Sequence, residues 1–204
     1  MELLFFSAQD KALFSRNDAE QAEWNVEDFN LTALFPYDAG KVIQRGMRIG
    51  FTDENGKFQA FEIRKCRDYE PDHYQEVTAE HIAVSELTDE HLAAKKWRDI
   101  TAGAALTEAL TGTLWSIGTN TTSNTSSANT SNGDVWQAIR TIESEWNVYI
   151  MPRITINASG ITGRYLDIQP AQGTFHGMRL SLDKNADEVG VTWDDSNVKT
   201  AMYG

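Results

Sequence analysis

The sequence predicts a mainly β, α+β fold: an antiparallel β-barrel carrying a small inserted α+β domain. Short runs of alternating apolar residues, separated by turn signals, fill roughly the first 80 positions. Helical spacing then takes over, and alternation returns near the C-terminus. The order strands, helices with a hairpin, strands places residues 1–82 and 176–204 in one discontinuous barrel, with 83–175 inserted.

In the first part, Trp24 and Val26 share one side of a short run, and Phe29, Leu31, Ala33 and Phe35 share one side of the next. The two runs are out of phase by one residue, which predicts a bulge or bend near Asp28. Pro36 ends the second run because proline cannot donate to a ladder. Met47, Ile49 and Phe51 alternate, Asp53-Glu54-Asn55-Gly56 supplies a turn, and Phe58 to Arg67 returns as the partner of a hairpin. Tyr74 to Ala79 reads as a further strand.

In the insert, Leu106, Ala109 and Leu110 have helical spacing, with Thr101 as N-cap. Residues 88–98 suggest a short helix, and Trp115 to Ile117 a short strand. The Thr/Ser/Asn tract 119–133 has nothing to bury and predicts a mobile polar loop. Asp134 caps the next helix, with Gln137 placed to complete a capping box. Val135, Ile139, Ile142 and Trp146 form its apolar stripe, and Asn147 suits a left-handed C-terminal position. Strands 148–156 and 161–168 follow, joined by Asn157-Ala158-Ser159-Gly160. Beyond them Met178, Leu180 and Leu182 alternate, as do Val189, Val191 and Trp193, and then Val198, Thr200 and Met202.

The 204 residues suffice to bury a core without a disulfide or metal staple. The single cysteine, Cys66, can form neither an internal disulfide nor a cysteine-based metal site, and its setting is that of a packed strand residue. A net charge of −12 speaks against nucleic-acid specificity and against anionic membrane surfaces. No stretch is apolar enough for a membrane span, and Met1 to Phe6 is too short for a signal sequence.

No catalytic, cofactor-binding or metal-ligating constellation emerges. His73, His81, His91 and His176 lack the spacing of a zinc helix, although Glu80-His81 and Glu90-His91 pair a carboxylate with an imidazole. Asp68 to His73 concentrates carboxylates beside a histidine, but Pro71 and the charge density mark an exposed loop. Asp194-Asp195 reads as a turn. No nucleophile elbow or phosphate-binding glycine loop is present, and the six tryptophans fit core patterns better than a sugar-stacking platform.

An ordered series of segments resembles the N-terminal hub region of phage and prophage tail-tip proteins, also known as minor structural or prophage endopeptidase tail proteins. Val77-Thr78-Ala79-Glu80-His81-Ile82 is similar to that family's barrel-exit strand. Thr101 to Leu106, with Gly112-Thr113-Leu114-Trp115-Ser116-Ile117-Gly118, resembles its next conserved stretch, and Val135 to Trp146 its helix. Arg164-Tyr165-Leu166-Asp167-Ile168 and Asp194 to Gly204 resemble two later segments. Residues 1–76 agree in pattern more than in letters.

The resemblance implies a barrel with an inserted α+β domain, like the baseplate hub of contractile-tailed phages, then a second barrel. It implies a homotrimeric ring at the end of the tail tube; the sequence motifs give no cofactor. Implied partners are other tail proteins: the distal tail protein, the tail tube and the tape measure. The implied location is the virion tail, after synthesis in the bacterial cytoplasm. The chain stops about where a second barrel would begin. Two alternatives stand beside this structural, non-enzymatic role: a tail-associated cell-wall endopeptidase and a carbohydrate-binding barrel module.

Overall fold

The computed structural model describes residues 2–26, 28–69 and 73–171. The expected strands of 176–204, with His176 and Asp194-Asp195, lie outside the described residues, as does the Glu70-Pro71-Asp72 part of the acidic loop.

Strands β1 (Leu3–Phe6) and β2 (Ala12–Arg16) form an antiparallel hairpin, as do β3 (Gln21–Asn25) and β4 (Asn30–Pro36). The phase change near Asp28 is therefore a chain reversal and not a bulge: Asn25 pairs with Asn30, and Phe29 has φ 54°. A two-residue period cannot distinguish a kinked strand from two paired ones. Strands β5 (Arg48–Thr52) and β6 (Phe58–Tyr69) make the expected hairpin. Its turn is closed by Asp53, whose Oδ1 accepts from the N–H groups of Asn55 and Lys57, both at 2.9 Å. Gly56 takes φ 72° there, the left-handed region that glycine reaches without Cβ strain. Strand β7 (Tyr74–His81) pairs with both β6 and β4.

These strands lie in the antiparallel order β2-β1-β5-β6-β7-β4-β3. The sheet curls strongly, since Phe5 of β1 meets Phe35 of β4 at 5.7 Å between ring centres. Among the described residues no ladder joins β2 to β3, so these strands form an open curl. Leu3, Phe5, Leu31, Phe35, Ile49, Phe61, Ile63 and Val77 fill its inside.

The chain then turns into helix α1 (Ile82–Thr88), which sequence periodicity missed because seven residues show too little of a stripe. The helix expected over 88–98 is absent: β8 (His91–Leu92) and β9 (Lys95–Thr101) occupy that stretch. Helix α2 (Ala102–Ala109) is capped by Thr101, whose hydroxyl accepts from the Ala104 N–H at 3.2 Å. Next come β10 (Ser116–Asn120), β11 (Thr125–Thr130) and β12 (Gly133–Asp134).

The tract expected to be a mobile loop is thus largely strand. β11 pairs with β9 from Thr125↔Thr101 to Thr130↔Lys95 and buries Ala128. Threonine is a good strand former, and side chains of the tract bond backbone groups: Ser127 Oγ accepts from Asp99 N–H, and Asn132 Oδ1 from Ala94 N–H. Low apolar content hid a segment that is held by polar groups.

Helix α3 (Val135–Trp146) follows the sequence reading closely. Asp134 accepts from Gln137 N–H at 2.7 Å, and Asn147 ends the helix at φ 51°, ψ 53°. Ile139, Ile142 and Trp146 are buried, each worth roughly 1.5–3 kcal/mol. Strands β13 (Val148–Asn157) and β14 (Gly160–Pro170) form a long hairpin, and β10 pairs with β14 in parallel.

The second core lies under α1, α2 and α3 and contains Phe6, Phe58, Ala60, Trp97, Leu106, Trp115, Ile142, Trp146 and Leu166. β6 serves both cores, with Phe58 and Ala60 in one and Phe61 and Ile63 in the other.

Candidate functional site

The residues weighed as chemical candidates are scattered. His91 is exposed on β8, and His73 sits in the β6–β7 turn at φ 55°. Cys66 is half-buried on β6, and burial, then Asp68, push its thiol up. Asp68 accepts from the Gln75 amide at 2.9 Å. Among the described residues no three His, Cys, Asp or Glu side chains gather as metal ligands would.

His81 is fully buried at the end of β7, with a structural task. Its Nδ1 accepts from Ala83 N–H at 3.1 Å and so caps α1. Nε2 therefore carries the proton and donates to Gln59 Oε1 at 3.2 Å. The Gln59 amide donates in turn to Asp53 Oδ2 at 2.9 Å. Burial pushes the imidazole from 6.5 down to about 3.

The main electrostatic feature is a cluster that single-residue reading could not assemble. Arg164 of β14 donates to Glu86 of α1 at 2.7 and 3.0 Å and to Asp10 of the β1–β2 turn at 2.6 Å. Arg48 of β5 pairs with the same two carboxylates, at 2.9 Å to Glu86 and by a short contact to Asp10. The Trp115 indole donates to Glu86 at 2.8 Å. Burial works against the charge of Arg164, but the bonds to Glu86 and Asp10 outweigh it and raise its pKa. Two cations and two anions thus face one another where β14, α1, β5 and the β1–β2 turn meet.

A second ion pair follows, between the buried Asp167 of β14 and the half-buried Arg153 of β13. Asp167 accepts from Arg153 at 2.9 Å and from Thr119 N–H at 2.7 Å. Burial works to raise its carboxyl, yet these bonds prevail and hold it below the usual carboxylate range. Gly118 admits this arrangement, because a Cβ there would lie 2.0 Å from Asp167 Oδ1. Within the described segments behind the family resemblance, Thr101 caps a helix, Trp115 and Arg164 bind Glu86, and Gly118 makes room for Asp167.

Shallow grooves mark the surface of the described residues. One of about 410 Å³ lies on the outer face of β3, β4 and β7, between Tyr69, Tyr74, Glu23 and Glu76. Another of about 480 Å³ lies between Trp24, Val26, Phe51 and Met151. A further one, about 280 Å³, lies beside Trp115 and the exposed Leu114.

No family model matches the sequence, and no curated protein matches it either. Solved structures do match. The 43 kDa tail protein of prophage MuSo2 from Shewanella oneidensis superimposes with a TM-score of 0.51 over 92% of this chain and 58% of its own, at 11% identity. The fold is that of a prophage tail protein. A tail protein from Neisseria meningitidis MC58 also matches, with a TM-score of 0.45 over 82% of this chain and 44% of its own, again at 11% identity. The chain spans about half the length of these tail proteins.

Proposed function

We propose that the chain is a structural module of a phage tail tip, the N-terminal part of a hub at the end of the tail tube. The observation that carries this reading is the fold shared with the MuSo2 tail protein over 92% of the chain. The setting of the motif residues supports it: their side chains are consumed in caps, ion pairs and close backbone approaches, as a scaffold requires. In this reading residues 1–82 and 176–204 belong to one barrel with 83–175 inserted. Three copies form a ring that contacts the distal tail protein, the tail tube and the tape measure. In this reading the role is mechanical and not enzymatic.

Cryo-electron microscopy of virions carrying a tagged copy tests the reading. Tag density at the tail tip with threefold symmetry is expected. Absence from purified virions, or density in the head, would overturn it. Zymography on purified cell walls adds an independent check, and a lytic band from the purified chain would sink the non-enzymatic part.

A further inference from the structure

We propose that the β5–β6 turn is a self-modification site, where Asn55 converts to aspartate and isoaspartate without an enzyme. Asparagine is among the thermolabile residues. It reacts when the backbone nitrogen of the next residue reaches its side-chain carbonyl carbon. Glycine in that next position helps most, because no Cβ crowds the approach. The sequence has this pair at Asn55-Gly56 and at Asn132-Gly133. Both asparagines are exposed, so exposure does not separate them, but the fold holds them differently.

At the tip of the β5–β6 turn, Glu54, Asn55 and Gly56 are all exposed. The Gly56 nitrogen donates to the Asp53 carbonyl at 3.0 Å, and Gly56 already sits at φ 72°. Freeing that nitrogen opens a turn bond and leaves the β5–β6 ladder in place, a local event of the kind that surface turns undergo. Asn132 is fastened at several points. Its Oδ1 accepts from Ala94 N–H at 2.7 Å, which fixes the side chain. Gly133 and Asp134 pair with Leu92 and His91 of β8. Asp134 caps α3, and Val135 N–H donates to the Glu90 carbonyl at 3.0 Å. Ring closure at Asn132 has to break the side-chain bond, this ladder and the start of α3 together.

In the reaction the Gly56 nitrogen gives its proton to water and forms a bond to Asn55 Cγ. The Cγ–Nδ2 bond breaks, and ammonia leaves with a proton taken from water. Water then opens the five-membered imide at either carbonyl, giving aspartate or isoaspartate. No electrons are transferred, and water is the co-reactant. Either product sets a new carboxylate beside Glu54 and Asp53, on the groove that Trp24, Phe51 and Met151 also line. Isoaspartate further inserts a methylene between residue 55 and Gly56. That shifts the Lys57 N–H away from Asp53 Oδ1, which accepts from it at 2.9 Å. Asp53 Oδ2 holds Gln59, and Gln59 holds His81, so the modified turn ends a line of bonds that reaches the buried cap of α1. This chemistry does not depend on the chain's place in a tail.

The test incubates the full chain in mildly alkaline buffer, both folded and unfolded in guanidinium, and follows peptides by mass spectrometry. Electron-transfer fragmentation separates isoaspartate from aspartate. In the folded chain Asn55 should convert about tenfold faster than Asn132, whereas in guanidinium the two should convert at similar rates. Hydrogen exchange at Lys57 N–H should rise in the isoaspartyl form and stay slow in Asn55→Asp, which has the charge without the added methylene. Equal conversion at both sites in the folded chain, or faster conversion of Asn132, would overturn the proposal. So would an Asn55 that stays intact in the folded chain while the unfolded chain converts. A rate ratio that persists in guanidinium would trace the difference to neighbouring residues and not to the fold, and would overturn it equally. Unchanged exchange at Lys57 in the isoaspartyl form would overturn the link to Asp53.

Discussion

Replacing His81 with asparagine should remove a defined part of the acid sensitivity of this fold. In the native state Nδ1 receives the Ala83 N–H and Nε2 donates to Gln59, so a second ring proton would point at a donor. Phe29 and Phe61 flank the ring edge-on, at 6.0 and 5.2 Å, and offer no solvation. With the folded value depressed from 6.5 to about 3, protons bind the unfolded chain first. Stability is therefore fully present above pH 6.5 and drains away as pH falls toward about 3. At pH 5 the unfolded state gains about 2 kcal/mol from this group, against about 0.2 kcal/mol at pH 7. Asparagine is itself a good N-cap and does not titrate. Urea unfolding, followed through the buried Trp97 and Trp146, gives stability at each pH for both proteins. The variant will be less stable at pH 7 from lost packing, but the gap should narrow by about 2 kcal/mol by pH 5. The many carboxylates titrate in both proteins and cancel. A gap that changes by less than about 0.5 kcal/mol would refute the buried neutral imidazole.

Arg164→Ala should cost about 3–5 kcal/mol in urea unfolding, because it leaves Asp10 and Glu86 with Arg48 as the one remaining cation of the cluster; a loss under about 1 kcal/mol would mean the cluster is solvated. Gly118→Ala forces a Cβ onto Asp167, and a loss of about 1–3 kcal/mol is expected, with no effect if the Asp167 bond to Thr119 is not formed. Ile142→Ala empties a fully buried position on α3 and should cost about 2–5 kcal/mol. Hydrogen exchange should be slow across Thr125–Thr130, whereas a uniformly fast tract would restore the loop reading.

What the sequence made legible were features that local chemistry decides. The β5–β6 turn, helices α2 and α3 and the β13–β14 hairpin lie where Asp53, Thr101, Asp134 and Asn147 put them. α1 was missed because its cap is a histidine, a residue type that sequence signals do not flag as an N-cap. β11 was missed because its stability comes from backbone pairing and from threonine and serine hydroxyls, which no hydrophobic pattern records. The charged cluster was illegible for a different reason. Its members Asp10, Arg48, Glu86 and Arg164 lie up to 154 residues apart, and each alone reads as an ordinary surface charge. Arg164 and Asp167 were noticed as motif letters, but only the structure shows that they face different partners.

The connection between the curled sheet and the helical layer explains why so much charge is spent on that cluster. The two parts share β6, yet the ladder from β13 to β6 holds through a single register pair, Ile154↔Phe58. One more isolated bridge, Lys11↔Gly160, ties the β1–β2 turn to the β13–β14 turn. Gly160 has φ 140°, and a Cβ there would meet the Asp10 carbonyl oxygen at 1.7 Å, so only glycine permits the approach. Backbone bonds from Ala12 to Ser159 and from Ile161 to Asp10, each at 3.0 Å, flank that bridge. The apolar layer of Phe6, Phe58 and Ala60 adds burial, but burial is non-directional. Arg164 supplies direction, because its planar fork reaches α1 and the β1–β2 turn together. Arg48 closes the ring from β5, and Trp115 closes it from the chain after α2. A largely buried four-charge cluster between elements distant in sequence fixes direction more sharply than added apolar area does.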